Sequence, residues 1–154
     1  MGMGNKEQTN GINEDILKDS RKIATLACQS ISAKKGKRIF ILDLSGVSLI
    51  ADYFIICSAN SRIQTKAIAD HLEEELKKAG ILLSRREGYT EGRWILEDFG
   101  GVIVHIFLEE EREFYNLERL WGDAPLIEYN EEDPNGFKIQ FGESKDNSAE
   151  KKSF

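Results

Sequence analysis

The sequence predicts an α/β domain: a mixed sheet of about five strands with helices packed on it. Three observations carry this. The apolar runs WILEDF and VIVHIFL flank Gly100-Gly101, and a two-residue Gly-Gly loop between β-rich runs signals a hairpin, because type I′ and II′ turns need positive φ. The second of these runs, residues 102–108, is apolar on both alternating faces, as a strand is when layers pack on either side of it. A strand at 53–58 (YFIICS), a helical stretch and a third strand at 81–87 form a βαβ-like unit, which implies partly parallel pairing with a right-handed crossover.

In chain order, residues 1–11 are polar and glycine-rich and are expected to be disordered. A helix is expected from about 14 to 33. Glu14, Asp15 and Asp19 load its start, and Lys34, Lys35, Lys37 and Arg38 cluster at its end, with Gly36 as the stop. Its apolar stripe is Ile16, Ile23, Leu26, Ala27 and Ile31. The four cations could touch RNA phosphates, but solvated lysines at a helix C-terminus are the simpler reading. Residues 38–44 (RIFILDL) read as a strand that Ser45-Gly46 ends. Ser61 with Gln64 makes a capping box for the next helix, whose stripe is Ile63, Ala67, Ile68, Leu72 and Leu76 and which Gly80 closes. After the hairpin, Glu109, Glu110 and Glu111 suit the first turn of a helix, and Phe114, Leu117 and Trp121 recur at helical spacing to pack on the sheet. The domain is expected over 12–122. Beyond it lies an acidic extension, 123–154, partly docked and then disordered from about Ser144.

At 154 residues, one domain is the default. No run is long enough to span a bilayer and no signal-peptide pattern is present, so a cytoplasmic, bacterial protein is expected by elimination. Cys28 and Cys57 are expected as buried thiols. Net charge is −6, and residues 122–154 hold eight acids against four lysines. That balance argues against broad phosphate neutralisation, leaves little direct nucleic-acid binding, and fits a basic protein partner better.

Catalytic patterns fail. No G-x-x-x-x-G-K-[ST] or G-x-G-x-x-G occurs, and no Cys or His spacing matches zinc. His71 reads as a helix-surface or boundary residue. His105 is a diagonal neighbour of Asp98 if Gly100-Gly101 is the loop, roughly 7–8 Å apart at Cα. An Asp98–His105 hydrogen bond is then half an acid/base site or a satisfied polar pair. The sketch resembles the nucleotidyltransferase class, whose metal site needs an Asp-x-Asp strand after a Gly-Ser turn. Here the turn is Ser45-Gly46, the strand begins Asp52-Tyr53-Phe54, and Phe54 stands where the second acid belongs. No catalytic residue, metal or cofactor is assigned.

Four blocks in order carry a family resemblance: DYFIICSANSRIQTKAIADHL, Glu87-Gly88, WILEDFGGVIVHIF and REFYNLERLW. Together they resemble the ribosomal silencing factor, or Iojap, family over about residues 12–122. The family commonly has Gly-Asp at the hairpin tip, where this chain has Gly100-Gly101. The resemblance implies a nucleotidyltransferase-like α/β fold without the catalytic acids. It also implies binding to large-subunit ribosomal protein L-fourteen, which blocks joining of the small subunit and represses translation when nutrients are scarce. Organelle relatives assist large-subunit assembly, which is the alternative role, and a residual nucleotide-binding enzyme is another. A third is a scaffold that forms a homodimer when free. On the silencing reading, an acidic and aromatic face around the hairpin docks on a basic ribosomal protein. Trp94 is its anchor, Glu87, Glu97 and Asp98 are charge partners, and Tyr115 and Trp121 extend the surface. The alternative for Trp94 is a core tryptophan, and helix packing explains Tyr115 and Trp121 as well. His105, Gly100 and Gly101 have structural roles, and Arg112 either makes a cation–π contact with Tyr115 or caps the sheet.

Overall fold

The structure is a computed structural model that describes residues 19–130 and 132. The expected helix start near residue 14 and the expected disorder at 1–11 and beyond 144 lie outside the described residues. Helix α1 covers residues 19–33. It is followed by β1 (Lys37–Asp43), β2 (Tyr53–Ala59), α2 (Arg62–Lys78), β3 (Arg85–Glu87), β4 (Trp94–Asp98), β5 (Val102–Leu108), α3 (Glu109–Tyr115), α4 (Leu117–Leu120) and β6 (Leu126–Glu128).

The sheet has six strands in the order β3-β4-β5-β2-β1-β6, one more than expected. The added strand is β6, which pairs antiparallel with β1 (Ile41 opposite Ile127). The sheet therefore continues past the expected domain end at 122 to Glu128. The parallel pair is β2–β5, running from Tyr53 opposite Val102 to Ala59 opposite Leu108. The expected βαβ unit is thus corrected. Helix α2 leads from β2 to a strand three places away, β3, which is only three residues long and pairs antiparallel with β4 rather than with β2.

Alternation along the strands sorts the residues into two layers. On one face Ile41, Ile55, Cys57, Ile95, Val104 and Ile106 meet α1 and α2 through Ala24, Ala27, Ile31, Ile68, Leu72 and Leu76. Both cysteines are free and buried there, and burial pushes the Cys57 thiol up to about 12. The stripe of α2 is rotated from the expected one. Thr65, Ile68, Ala69, Leu72 and Leu76 are buried, whereas Ile63 is exposed. The Thr65 hydroxyl, which donates to the Gly92 carbonyl at 2.7 Å, helps set this phase. The N-cap is as expected, with Gln64 N–H donating to Ser61 Oγ at 3.1 Å. The Gln64 side chain closes back one residue early, on Asn60 N–H at 2.7 Å.

On the other face Leu42, Leu44, Ile56 and Phe107 pack under Leu117 and Ala124, with Phe54, Trp94 and Trp121 half-buried beside them. Phe114, expected to pack on the sheet, points to solvent. Arg112 holds α3 to this face and is itself 1% exposed. Its Nη1 donates to the Arg38 carbonyl at 2.6 Å and to Ser58 Oγ at 2.9 Å. Its Nε donates to Glu118 Oε2 at 3.0 Å. The guanidinium lies 5.0 Å over the Phe40 ring, not over Tyr115. Arg38 can offer its carbonyl because β1 bulges there, with Arg38 at φ 52. Of the two sequence readings for Arg112, capping the sheet is the one realised.

Removing one partner of a buried charge pair strands the other, at about 3–5 kcal/mol. Arg112→Ala is therefore expected to lower unfolding free energy by about that much in urea titrations, and Arg112→Lys to recover only a small part, since an ammonium lacks the planar fork.

Candidate functional site

The hairpin forms in the expected register. Asp98 sits opposite Ile103 and Trp94 opposite Phe107, and Phe99 N–H donates to the Val102 carbonyl at 2.9 Å. Gly100 takes φ 93, which an L side chain adopts only with strain. Asp98 Oδ1 accepts the Gly100 N–H at 2.8 Å and so fixes the turn. Gly101 serves a different need. A Cβ there would run into Ser20 Oγ of α1, and its carbonyl accepts the N–H groups of Asp52 and Tyr53 at 2.7 and 3.1 Å. The tip is thus pinned between α1 and the start of β2.

This register puts Trp94, Leu96 and Asp98 on the face that α3 and α4 cover only in part. Trp94 is half-buried. Its ring stacks on Phe107 at 4.9 Å and leans on Tyr115 at 4.7 Å between centroids. Its indole N–H donates to His105 Nδ1 at 3.1 Å. The inner side of Trp94 therefore belongs to the core and its outer side to the surface. Tyr115 is 48% and Phe114 81% exposed, with rings perpendicular at 5.0 Å. With Glu110 and Glu111 they line a shallow groove of about 340 Å³. Glu87, exposed at the end of β3, flanks the same face opposite Leu96 and pairs with Arg85 at 3.1 Å. Trp121 meets Phe54 edge-on at 6.0 Å, and Phe54 meets His105 at 4.6 Å. One continuous band of aromatic rings results.

His105 does not bond Asp98. Burial holds its pKa down to about 3, so the ring is neutral at ordinary pH. Because Nδ1 accepts from Trp94, its proton sits on Nε2. Its Nδ1 holds the Trp94 indole in place.

Glu97 is corrected as a surface charge. It lies on the opposite face, 0% exposed, under α2. Arg86 reaches it at 2.6 Å and also pairs with Glu73 and Asp70. Burial still raises the Glu97 carboxyl to about 7, against the pull of Arg86. Alternation places 95, 97 and 99 together, so its orientation was legible, but a buried carboxylate is rare without a partner. That partner, Arg86, stands directly opposite Glu97 on β3, and reading 81–87 as a strand did not fix this register. Glu110, Glu111, Leu96 and Phe114 are the surface residues that the sequence reading missed as members of this face.

Where the nucleotidyltransferase comparison looked for acids, Asp52 accepts from Ser20 Oγ at 2.7 Å and Phe54 meets His105 edge-on. Among the described residues, no three His, Cys, Asp or Glu side chains converge as a metal group would require. No helix among them is long and apolar enough to cross a membrane.

Fold and site together define a mixed α/β sheet domain with one helix-covered face and one partly open aromatic face. The family described as "Ribosomal silencing factor during starvation" matches residues 17–153, and the chain belongs to it. It is 48% identical over 107 residues to the ribosomal silencing factor RsfS of Bacillus subtilis, covering 70% of this chain and 88% of that one. A crystal structure from Bacillus halodurans superposes with a TM-score of 0.63 at 41% identity, covering 70% of this chain and 98% of the other. A mouse relative named "Mitochondrial assembly of ribosomal large subunit protein 1" is 36% identical over 91 residues, which cover 57% of this chain and 40% of that protein.

His105 and Glu97 act on stability in opposite directions. The unfolded chain protonates His105 near pH 6.5 while the folded protein resists until about 3, so its contribution is lost as pH falls below about 6.5. Glu97 holds its proton longer when folded, so its contribution is lost as pH rises from about 4.5 through 7. Melting curves from pH 4 to 8 are expected to show His105→Asn losing part of the acid-side decline. Glu97→Gln is expected to lose part of the decline towards neutrality.

Proposed function

We propose that this protein is a ribosomal silencing factor that docks its aromatic, acid-flanked face on large-subunit ribosomal protein L-fourteen. The bound domain then occupies space the small subunit must enter, and translation falls when nutrients are scarce. The observation that carries this reading is the surface of exposed Tyr115 and Phe114 and half-buried Trp94, bordered by Glu110, Glu111 and Glu87. Large aromatic side chains are the usual anchors of protein interfaces. Carboxylates at the rim speed encounter with a basic partner and set the salt dependence of its capture. Aromatic groups held by the sheet and by α3 lose little freedom on binding, which favours affinity.

The action is steric and not enzymatic. Nothing in it requires a nucleophile, a proton shuttle or a cofactor, and it takes place in the cytoplasm where the two subunits meet. The name of the mouse relative favours a second reading, participation in large-subunit assembly. That role would use the same face, since a factor bound at the intersubunit side can also guard a maturing particle.

Tyr115→Ala and Trp94→Ala are expected to weaken co-sedimentation with isolated large subunits, Trp94→Ala by about 2 kcal/mol, or roughly thirtyfold. Tyr115 is the cleaner probe, because Trp94 also packs on Phe107 and His105. Unchanged affinity in both folded variants would remove this face from the interface.

A further inference from the structure

We infer that the end of the domain where α1 meets α2 is a contact surface for RNA phosphates, separate from the aromatic face. This rests on the silencing-factor reading only for which RNA is meant, namely the ribosomal RNA beside the docked protein partner.

The fold gathers cations there that the sequence separates. Lys34 and Lys35 follow α1, and Lys37 opens β1. Arg62 and Lys66 stand one turn apart at the start of α2. Three contacts place them around the first turns of α2, Lys34 and Lys35 on the side of Gln64 and Arg62 and Lys66 on the side of Gly92. The Gln64 amide donates to the Lys34 and Lys35 carbonyls at 3.3 and 3.1 Å, which ties the α1 end to the first turn of α2. Lys37 lies opposite Ser58, near the end of β2 and just ahead of α2. The Arg62 and Lys66 side chains both border Gly92, at 3.2 Å from where its Cβ would stand.

Among the described residues, none of these five cations is paired with a carboxylate, whereas Arg38, Arg85, Arg86, Arg93 and Arg112 all are. Lys66 lies 5.7 Å over the Tyr89 ring, which leaves its charge without a counter-ion. Lys35 holds its place at φ 63, where glycine would sit without strain. The nearby acid Glu109 is taken by Arg38, which removes Arg38 from the expected quartet, and Glu91 borders the patch in the loop before β4.

Charge is also segregated by layer. Glu110 and Glu111 of α3 line the groove with Phe114 and Tyr115 on the other face of the sheet from α1 and α2, so a basic protein and an anionic polymer can be met at once. Five unpaired charges are too few for strong binding to free nucleic acid. They are enough to add salt-dependent affinity beside a protein contact, since each phosphate neutralised releases counter-ions.

The test is fluorescence anisotropy of a labelled RNA hairpin with the full chain and with Lys34→Glu/Lys35→Glu/Lys37→Glu, at 25 to 200 mM KCl. These exposed positions should leave the melting temperature unchanged. Wild type is expected to bind weakly, with log K falling against log [KCl] at a slope of about three or more, and the variant to lose about two to three of that slope. In parallel, co-sedimentation of the variant with large subunits is expected to weaken and to lose salt sensitivity. No hairpin binding by wild type at 25 mM KCl, or the same slope in the variant, would overturn the inference. So would preferential binding to phosphatidylglycerol vesicles, which would assign the patch to a lipid surface. Wild type that binds the hairpin through these lysines yet fails to sediment with large subunits would support the phosphate contact while removing the silencing reading.

Discussion

The structure depends on the pairing of β5 with both neighbours. It runs parallel to β2 over seven residues and antiparallel to β4 over five, and six of its seven side chains are buried. A strand enclosed on both faces cannot slip by one residue without carrying its apolar set to the wrong layer. Fixing β5 fixes everything the aromatic face needs. Trp94 stands opposite Phe107, His105 lies within reach of the indole, and α3 begins directly at Glu109.

From that strand the chain builds two layers of unlike character. One is sealed by α1 and α2 over a continuous apolar core. The other is closed only where Arg112 draws α3 down to the bulge at Arg38 and to Ser58. The short α3–α4 pair leaves Phe114 and Leu120 exposed and Tyr115 half-exposed against Trp94. Half-buried Trp94 belongs to both worlds. Its bond to a neutral histidine satisfies its N–H inside the protein, so its outer edge offers apolar area rather than a hydrogen bond.

The hairpin was legible because Gly100-Gly101 allows few turns and because period-two alternation fixes the register. Helix α2 was legible in extent through Ser61, Gln64 and Gly80. Its phase was not, since the polar Thr65 joins the buried stripe of Ile68, Ala69, Leu72 and Leu76 with its hydroxyl bonded to the Gly92 carbonyl, while the apolar Ile63 faces solvent. The sixth strand was invisible: three residues in a polar stretch become a strand only by meeting the free edge of β1. The parallel partner of β2 was missed for a related reason, because local sequence marks the crossover helix but not how many places it carries the chain. The orientation of Glu97 could be read from alternation, but its burial depends on Arg86, whose register opposite it on β3 the sequence did not fix. Membership of the family was legible in four ordered blocks. Which residues of those blocks face outward was not, because family motifs hold packing and contact residues alike.

The most direct measurement is light scattering of ribosomal subunits mixed at rising doses of this protein, with no nucleotide added. If the aromatic face docks on the large subunit and the domain acts by bulk, subunit association falls in step with occupancy and is abolished at saturation. Normal association at full occupancy of the large subunit would contradict it.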